Sequence, residues 1–347
     1  MNGYSMSEIR FADKRALTEL DELLRGEKIK RDPNLDYIVG LYDGDDRLAA
    51  TGACFANTLR CLAVSDAHRG EGLLNRVVSH LIERQSQRGN VHLFLYTKAD
   101  KARFFMDLGF YEIARTSDET IFMENQKKGF SSFLEELAAD RKNGNSAALV
   151  MNCNPFTLGH RYLVERAAAQ NDAVHLFVVS EDVSFFPFTE RYAMIGAGCS
   201  DLRSVVLHET RSYMISNAVF PSYFLKDEEA AIKAQARLDL ILFAKIAHAL
   251  GVTRRYVGEE PFSRVTRVYN ETMRDELPGA GLECVVVPRK AVEGQPISAS
   301  QVRQMLHDGR LDAVRSLVPQ STFDYLQTGA GQRTVERLRA ALSVRHY

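Results

Sequence analysis

The sequence has little net charge, no long apolar run, no paired cysteines and no internal repeat. Its 347 residues carry 44 basic and 45 acidic side chains, for a formal net charge of -1, and so provide no overall field for a polyanion or an anionic membrane. The most apolar stretch, Leu238 to Leu250, is interrupted by Lys245, and the N-terminus lacks an apolar core of signal-peptide length. We therefore expect a cytoplasmic protein whose main partners are neither nucleic acid nor membrane.

Cysteine usage points to the same compartment. The five cysteines are odd in number, widely spread and free of any C-x-x-C pair, a pattern that predicts neither a disulfide framework nor a structural zinc site. A reducing environment therefore fits best.

Length and apolar content predict two domains. With 347 residues, of which 45% are hydrophobic, the chain exceeds one ordinary core and can fill two. Periodicity predicts a compact α+β unit over residues 1–128, followed by a bridging helix and linker over 129–145 that ends in Asn143-Gly144-Asn145. In the first unit it predicts helices over 11–25, 72–88 and 102–108 and strands over 35–39, 48–55, 59–64, 91–96, 110–114 and 120–123.

From residue 146 to residue 347 strands and helices alternate. The predicted strands cover 147–151, 173–179, 205–207, 255–257 and 284–287, and helices cover 159–170, 190–197, 228–250, 265–277 and segments after 298. Alternation of this kind predicts a doubly wound, Rossmann-like parallel sheet. The expected fold is therefore an α/β protein of two domains.

Directly after the first strand of the second domain comes a loop that leads into a helix. Its residues are Asn152-Cys153-Asn154-Pro155-Phe156-Thr157-Leu158-Gly159-His160. A loop from a parallel strand into a helix N-terminus presents free backbone N-H groups and the positive end of the helix dipole, and Gly159 allows a phosphate to approach the backbone. Thr157 and His160 can then face one anion, and Asn152, Asn154 and Pro155 are further candidates for ATP contact.

A second segment, Ile297-Ser298-Ala299-Ser300-Gln301-Val302-Arg303, follows the last predicted strand and opens a helix. Two hydroxyls, of Ser298 and Ser300, lie at the helix N-terminus, and the guanidinium of Arg303 lies one turn in. Such a set can hold the β and γ phosphates of a nucleotide and the departing pyrophosphate.

Both segments resemble motifs of the nucleotidyltransferase superfamily. The first resembles its T/H-x-G-H signature and the second its I-S-x-S/T-x-x-R motif, in the same order along the chain. The resemblance implies that Thr157 and His160 are transition-state donors, that Arg303 and the two serines hold the triphosphate, and that Mg2+ neutralises it. A carboxylate can then attack the α-phosphorus while these donors stabilise the growing negative charge, without a protein nucleophile.

Other residues near these motifs are candidates with an ordinary alternative. Gly258, Glu259 and Glu260 end a buried strand on the edge where doubly wound folds bind ligands, so a role with ribose or metal competes with that of plain loop carboxylates. Arg191 resembles a phosphate-side arginine of relatives, against a solvated arginine in a first helical turn. Cys153 is expected to be a small buried side chain rather than a reactive thiol, because no base is placed beside it.

The first domain contains a second loop suited to phosphate. Ala67-His68-Arg69-Gly70-Glu71-Gly72-Leu73 lies between a strand and a long helix, whose first N-H groups can hold a pyrophosphate. It resembles the Q/R-x-x-G-x-G/A loop of GNAT acetyltransferases, which implies that Arg69, Gly70 and Gly72 bind a coenzyme A-like group. Phe105 stands where many members carry the tyrosine that protonates the departing thiolate. A holder of a CoA-like group is therefore favoured over a working amine acetylase.

Over nearly its whole length the chain resembles the citrate (pro-3S)-lyase ligase family. The most specific segments are SNAVFPSYFLKD, at 216–227, and VGEEPFSRVTRVYNE, at 257–271. The family implies that ATP, acetate and the thiol form of citrate lyase give AMP, pyrophosphate and the acetylated lyase. The thiol belongs to a dephospho-CoA-type prosthetic group on the acyl carrier subunit of the lyase. ATP, Mg2+, acetate and that subunit are thus the expected ligands and partner.

Two other functions compete with this interpretation. An adenylyltransferase would join AMP to a phosphate-bearing cofactor precursor and keep the AMP in its product. A protein acetyltransferase with a nucleotide-sensing module would consume acetyl-CoA without releasing pyrophosphate. For the acid pocket, Asn217 and Lys226 are candidates to touch the carboxylate, with surface roles as the alternative.

Overall fold

The computed structural model describes residues 3–117, 119–182, 184–214, 228–260, 264–292 and 294–344. These residues divide into two compact units, one with those of Met1–Ser131 and Val219–Ile241 and the other with those of Ser132–Ala218 and Leu242–Tyr347. The domain bounds predicted from the sequence stay a prediction. The whole family-specific segment at 216–227, with both acid-pocket candidates, Asn217 and Lys226, lies outside the described residues. The described helices include none that is long and apolar enough to cross a membrane.

The first unit is built on a mixed sheet of seven strands in the order β1-β2-β3-β4-β5-β7-β6. Neighbouring strands are antiparallel except for β4 and β5, which are parallel. Its strands and α-helices are β1 (Ser5–Glu8), α1 (Lys14–Gly26), β2 (Tyr37–Tyr42), β3 (Leu48–Phe55), β4 (Thr58–Val64), α2 (Leu73–Gln87), β5 (Phe94–Lys98), α3 (Ala99–Asp107), β6 (Tyr111–Arg115) and β7 (Thr120–Glu124), and α4 (Gly129–Ala138) follows them in the chain. The predicted α+β architecture is confirmed.

The second sheet is parallel throughout, with five strands in the order β10-β9-β8-β11-β12. The remaining elements are β8 (Ser146–Met151), α5 (Leu158–Ala168), β9 (Ala173–Val178), α6 (Phe188–Gly198), β10 (Val205–Glu209), α7 (Glu228–Leu250), β11 (Val252–Gly258), α8 (Arg264–Glu276), β12 (Glu283–Val287), β13 (Ala291–Val292), β14 (Gln295–Pro296), α9 (Ala299–His307), α10 (Leu311–Val314), α11 (Gln320–Gln327) and α12 (Gly329–Ala340). The predicted doubly wound sheet is confirmed.

Strand β8 fixes where a ligand can bind in this sheet. It lies between β9 and β11, so the chain runs outward in one direction from β8 to β10 and in the other direction from β11 to β12. Open parallel sheets bind ligands at such a reversal, outside the carboxyl ends of the strands. The residues directly after Met151 and Gly258 lie at this point.

Two short features escaped prediction. Strand β1 is an edge strand whose residues are mostly exposed, so it has no alternating apolar signal. The hairpin of β13 and β14 has strands of two residues each, too short for any periodicity.

Two buried histidines couple neighbouring strands of the second sheet. Nδ1 of His175 on β9 lies 2.9 Å from Nε2 of His208 on β10, and His175 is fully buried. Burial, and then the neighbouring His208, lower the pKa of His175 to about 4, and burial also lowers the pKa of His208. The carboxylate of Asp140 lies 3.7 Å from Nδ1 of His208 and raises the pKa of His208, which partly offsets the effect of burial.

This pair predicts acid lability of the second unit. Below the ordinary histidine pKa the unfolded chain binds protons that the folded pair does not, so the free energy of unfolding falls as the pH drops from about 6.5 toward 4. For His175 the expected loss between pH 7 and pH 5 is about 1–2 kcal/mol. Urea unfolding at the two pH values measures it. His175→Gln should flatten the slope and His248→Gln, at an exposed position, should not; equal slopes in all three proteins would contradict the assignment.

Candidate active site

A cavity of about 1230 Å3 lies at the carboxyl edge of the parallel sheet, within the second unit. Nine of the residues predicted to bind ATP line it: Asn152, Asn154, Thr157, Gly159, His160, Gly258, Ser298, Ser300 and Arg303. The two predicted motifs therefore meet at one cavity, although more than a hundred residues separate them in the chain. Their roles toward a ligand stay a prediction.

The first motif is organised by a capping box at the start of α5. Thr157 is the N-cap, and its hydroxyl accepts a hydrogen bond from the backbone N-H of His160 at 3.3 Å. In return the backbone N-H of Thr157 donates to Nδ1 of His160 at 3.1 Å. Reciprocal bonds of this kind satisfy N-H groups that the first helical turn leaves unpaired. They also hold the imidazole in one orientation.

This arrangement determines both the charge and the tautomer of His160. Burial, and then the nearby cations Arg289 and Arg303, lower the pKa of His160 to about 4, so the ring is neutral at pH 7. Because Nδ1 accepts from Thr157, the single ring proton is on Nε2. His160 thus presents an uncharged N-H donor in a cavity that it lines.

Gly159 allows the first motif to contact the second. A methyl group at this position would lie 3.2 Å from the carbonyl oxygen of Ile297, closer than such groups normally approach. Ile297 in turn donates its backbone N-H to the carbonyl of Lys290 at 3.0 Å. A side chain at Gly159 would crowd the backbone between the motifs, so the glycine favours their close packing, besides the phosphate approach predicted for it.

The second motif is held by Arg303. Its buried guanidinium donates to the carbonyl oxygens of Asn154 at 2.6 Å and Val344 at 2.9 Å and to the hydroxyl of Ser300 at 3.1 Å. Burial lowers the pKa of Arg303 to about 10, so it keeps its charge at neutral pH. The solvated alternative for this residue is wrong. Ser298 caps α9 by accepting from the N-H of Gln301 at 3.1 Å, and it also lines the cavity.

The remaining loop residues support this geometry. Asn154 is buried, its side-chain oxygen accepts from the N-H of Phe186 at 3.2 Å, and its Nδ2 group lacks an acceptor among the described residues. The side chain of Asn152 pairs with Ser184. Pro155 is buried but does not line the cavity. Burial raises the pKa of the Cys153 thiol, as expected for a small buried side chain.

Arg191 lies away from the cavity lining. It is fully buried on α6, which rules out the solvated alternative. Four of its N-H groups donate to the backbone carbonyls of Phe186, Asn152, Val179 and Glu181 at 2.7–2.9 Å. With these donors engaged, Arg191 fixes the loops after β8 and β9, and its predicted contact with ATP stays a prediction.

The acidic candidates differ in position. Glu260 lines the cavity and forms an ion pair with Arg289. The side chain of Glu259 is exposed and is not part of the lining, while its backbone N-H donates to the carbonyl of Val287 at 2.9 Å. Gly258 lines the cavity at the end of β11.

Sequence motifs did not point to three further cations of this cavity. Arg289 and Lys290 follow β12, and Arg310 follows α9. The available signal was their position, since Arg289 and Lys290 come directly after the carboxyl end of a parallel strand. With Arg303 they give the cavity four cations against the one carboxylate of Glu260.

The predicted CoA-type loop lies in the first unit, between β4 and α2. Gly70 and Gly72 have φ of 84° and 71°, and Gly72 is the N-cap of α2. Such left-handed angles favour glycine and leave the first N-H groups of the helix uncovered. The side chain of Arg69 forms ion pairs with Glu27 and Asp66. Phe105 is buried.

Comparison with known proteins identifies the family. The family model of the citrate lyase ligase C-terminal domain matches residues 146–326. Over 328 residues the chain is 36% identical to the citrate (pro-3S)-lyase ligase of Escherichia coli (strain K12), covering 92% of this chain and 93% of that protein. The corresponding protein of Klebsiella pneumoniae is 37% identical over 320 residues, covering 90% and 93%.

Solved structures similar to part of the chain include Escherichia coli ElaA, with 16% identity and a TM-score of 0.31 over 36% of this chain and 100% of that one. An acyl-CoA N-acyltransferase from Pseudomonas aeruginosa has 16% identity and a TM-score of 0.31 over 35% of this chain and 99% of that one.

The fold and cavity of the second unit are those of a doubly wound α/β protein with a cationic ligand site. The chain belongs to the citrate (pro-3S)-lyase ligase family. It is accordingly a ligase, as predicted, and membership of a ligase family implies that it uses a nucleotide.

The contact between the motifs can be tested at Gly159. Gly159→Ala should weaken ATP binding by roughly tenfold, because the new methyl group displaces Ile297 and with it the second motif. Helix propensity alone favours alanine over glycine, so it would stabilise α5 and cannot account for weaker binding. Titration calorimetry measures the affinity. The control Gly329→Ala at the start of α12, where the nearest atom is 3.6 Å away, should leave ATP affinity unchanged; equal behaviour of the two variants would contradict the packing argument.

Proposed function

We propose that this chain activates acetate with ATP and transfers the acetyl group to the prosthetic-group thiol of the acyl carrier subunit of citrate lyase. Acetate attacks the α-phosphorus to give acetyl-adenylate and pyrophosphate. The thiol then attacks the acetyl carbon, so that AMP and a proton leave. The observation that carries the proposal is the meeting of the two motifs at one cationic cavity.

The residues present fit a nucleoside triphosphate. Helices α5 and α9 begin at the cavity, with Thr157 and Ser298 as their caps. Helix N-termini attract anions through free N-H groups and the helix dipole. The cationic lining supplies the charge for three phosphates, and Nδ2 of Asn154, which has no acceptor among the described residues, is a further buried donor at the same wall.

Mg2+ fits as an ion that arrives with the phosphates. Among the described residues, three or more His, Cys, Asp or Glu side chains do not gather into a metal site, and Mg2+ commonly keeps its waters and binds through substrate phosphates. When bound, it would neutralise part of the triphosphate charge.

His160 and Arg303 would carry different parts of the first step. The neutral imidazole donates its Nε2 proton in a hydrogen bond to an α-phosphoryl oxygen and returns unchanged, which requires a ring that does not titrate near pH 7. Arg303, anchored on Asn154, faces the charge of the leaving pyrophosphate. Both act as fixed donors, which stabilise a transition state without reorganising.

The loop with Gly70 and Gly72 is our candidate for binding the prosthetic arm. The phosphodiester and pyrophosphate groups of the prosthetic arm can accept hydrogen bonds from the N-H donors at the start of α2. Phe105 cannot donate a proton, and this reaction requires none from it, because the thiol loses a proton instead of gaining one.

The activation step is tested by trapping acetyl-adenylate with hydroxylamine in the presence of ATP and acetate. His160→Asn keeps an acceptor for the N-H of Thr157 and loses the Nε2 donor, so hydroxamate formation should fall by roughly 100- to 1000-fold. His307→Asn, in the same unit but outside the cavity, is the control and should retain the activity of the unaltered chain. Absence of hydroxamate from the active unaltered chain would refute acetate activation.

The pH profile gives a second measure of the same step. With the pKa of His160 at about 4, protonation of this ring should not reduce hydroxamate formation between pH 8 and pH 6, and the loss should appear only as the pH approaches 4.

The transfer step is tested at Gly72. Gly72→Val strains a left-handed position at the start of α2, and it should reduce acetylation of the carrier thiol by roughly tenfold or more while leaving hydroxamate formation intact. Gly89→Val is the matched control, since Gly89 has φ of 84° at the other end of α2 and open space around it. If both variants transferred acetyl groups equally well, the loop would not bind the arm.

A further inference from the structure

A cationic segment, Pro288-Arg289-Lys290, lies at the cavity and belongs to neither motif. It follows Val287, the last residue of β12, and therefore lies on the same carboxyl edge as the loop after β8. The carbonyl of Lys290 accepts the N-H of Ile297 at 3.0 Å, which attaches the segment to the second motif.

The side chain of Arg289 is held from one side. Its Nε donates to the carbonyl oxygen of Glu259 at 2.7 Å, and one NH2 group binds the carboxylate of Glu260. Both partners come from the segment that follows β11. The side chains of Arg289 and Glu260 are 24% and 12% exposed, so the pair is mostly enclosed and its geometry is fixed more firmly than that of a surface ion pair.

The rest of the guanidinium is available to a ligand. Within the part of the chain that the structure describes, NH1 of Arg289 has no acceptor, although the residue lines the cavity. The guanidinium is anchored through Nε and NH2, and NH1 remains for a ligand. This arrangement suits phosphate, because the planar guanidinium presents parallel N-H donors along one edge.

Arg289 and His160 act on the same region of the cavity. Arg289 and Arg303 both lower the pKa of His160, Arg289 by more, and all three residues line the cavity. A phosphate chain that reaches Nε2 of His160 from the N-terminus of α5 therefore passes within the field of Arg289. Lys290 and Arg310 extend the positive lining beyond it.

We propose that Arg289 is a further catalytic residue, which binds the β and γ phosphates of the nucleotide and neutralises the charge that develops on leaving pyrophosphate. Glu260 is its positioning residue, because it fixes the guanidinium plane. The inference rests on the function proposed above and adds a phosphate contact that neither motif contains.

A purely structural role for the ion pair is the competing explanation, and the chain offers a matched control for it. Arg254 and Glu283 form an ion pair at 2.9 Å near the amino ends of β11 and β12, the strands that Glu260 and Arg289 follow. This pair lies outside the cavity. Loss of a cross-strand pair is thus tested separately from loss of a phosphate contact.

The experiment measures affinities of the full-length chain for ATP, pyrophosphate and AMP by calorimetry without acetate. Arg289→Ala should weaken ATP and pyrophosphate binding by roughly tenfold and leave AMP binding within about twofold. Arg289→Lys should recover part of the loss, since it restores the charge without the fork. Arg254→Ala should bind all three ligands like the unaltered chain.

Glu260→Gln separates positioning from binding. The charge of Arg289 stays in the cavity, so pyrophosphate affinity should stay within about threefold, whereas kcat for acetate-dependent exchange of pyrophosphate into ATP should fall by about tenfold because the guanidinium is no longer fixed. A change in KM alone would contradict the positioning role.

Two outcomes overturn the inference. The first is ATP and pyrophosphate binding by Arg289→Ala equal to that of the unaltered chain. The second is an equal loss for ATP, pyrophosphate and AMP together with a lower melting temperature, which indicates a structural role. Failure of the proposed reaction looks different: ATP and pyrophosphate binding would still depend on Arg289, but no acetyl hydroxamate would form.

Discussion

The hydrogen bond from the guanidinium of Arg303 to the carbonyl of Asn154 joins the two halves of the site. It connects residues 149 positions apart at 2.6 Å and is buried. A buried guanidinium is costly unless its N-H groups are paired, and here the partners are the loop after β8, the carbonyl of Val344 and the hydroxyl of Ser300. The same requirement therefore holds α9 against the loop that precedes α5, and Gly159 allows the backbones of the two motifs to approach closely.

The electrostatics of the cavity follow from that packing. Four cations line the cavity with one carboxylate, and burial, followed by the charges of Arg289 and Arg303, keeps His160 uncharged at neutral pH. A neutral imidazole with its proton on Nε2 is a hydrogen-bond donor that adds no charge, so the attraction for an anion comes from arginine, lysine and the helix N-termini. The cations therefore attract the anion, while His160 donates the hydrogen bond to the reacting group.

Sequence patterns predicted the elements that have strong signals. The alternation after residue 146 predicted the parallel sheet because most of its strands contain apolar runs and the two helices at the site begin at recognisable caps, Thr157 and Ser298. Edge strand β1 and the hairpin of β13 and β14 were missed, because exposed or very short strands carry no alternation. Arg191 was assigned to the ligand because its place in a first helical turn is the same for a phosphate contact and for a buried structural donor.

By itself, the sequence determined the fold class, the family and the two motifs of the site. These depend on local periodicity, on helix caps and on long segments that resemble the family, such as 257–271. Only the tertiary structure decided which charges act together. Arg289 carries no motif, and Arg191 and Arg303 look equally exposed in one dimension; in the fold both are buried among backbone carbonyl groups, yet of these two only Arg303 lines the cavity, together with Arg289. Those surroundings come from loops that are distant in the chain and meet only when the parallel sheet brings the carboxyl ends of its strands to one edge.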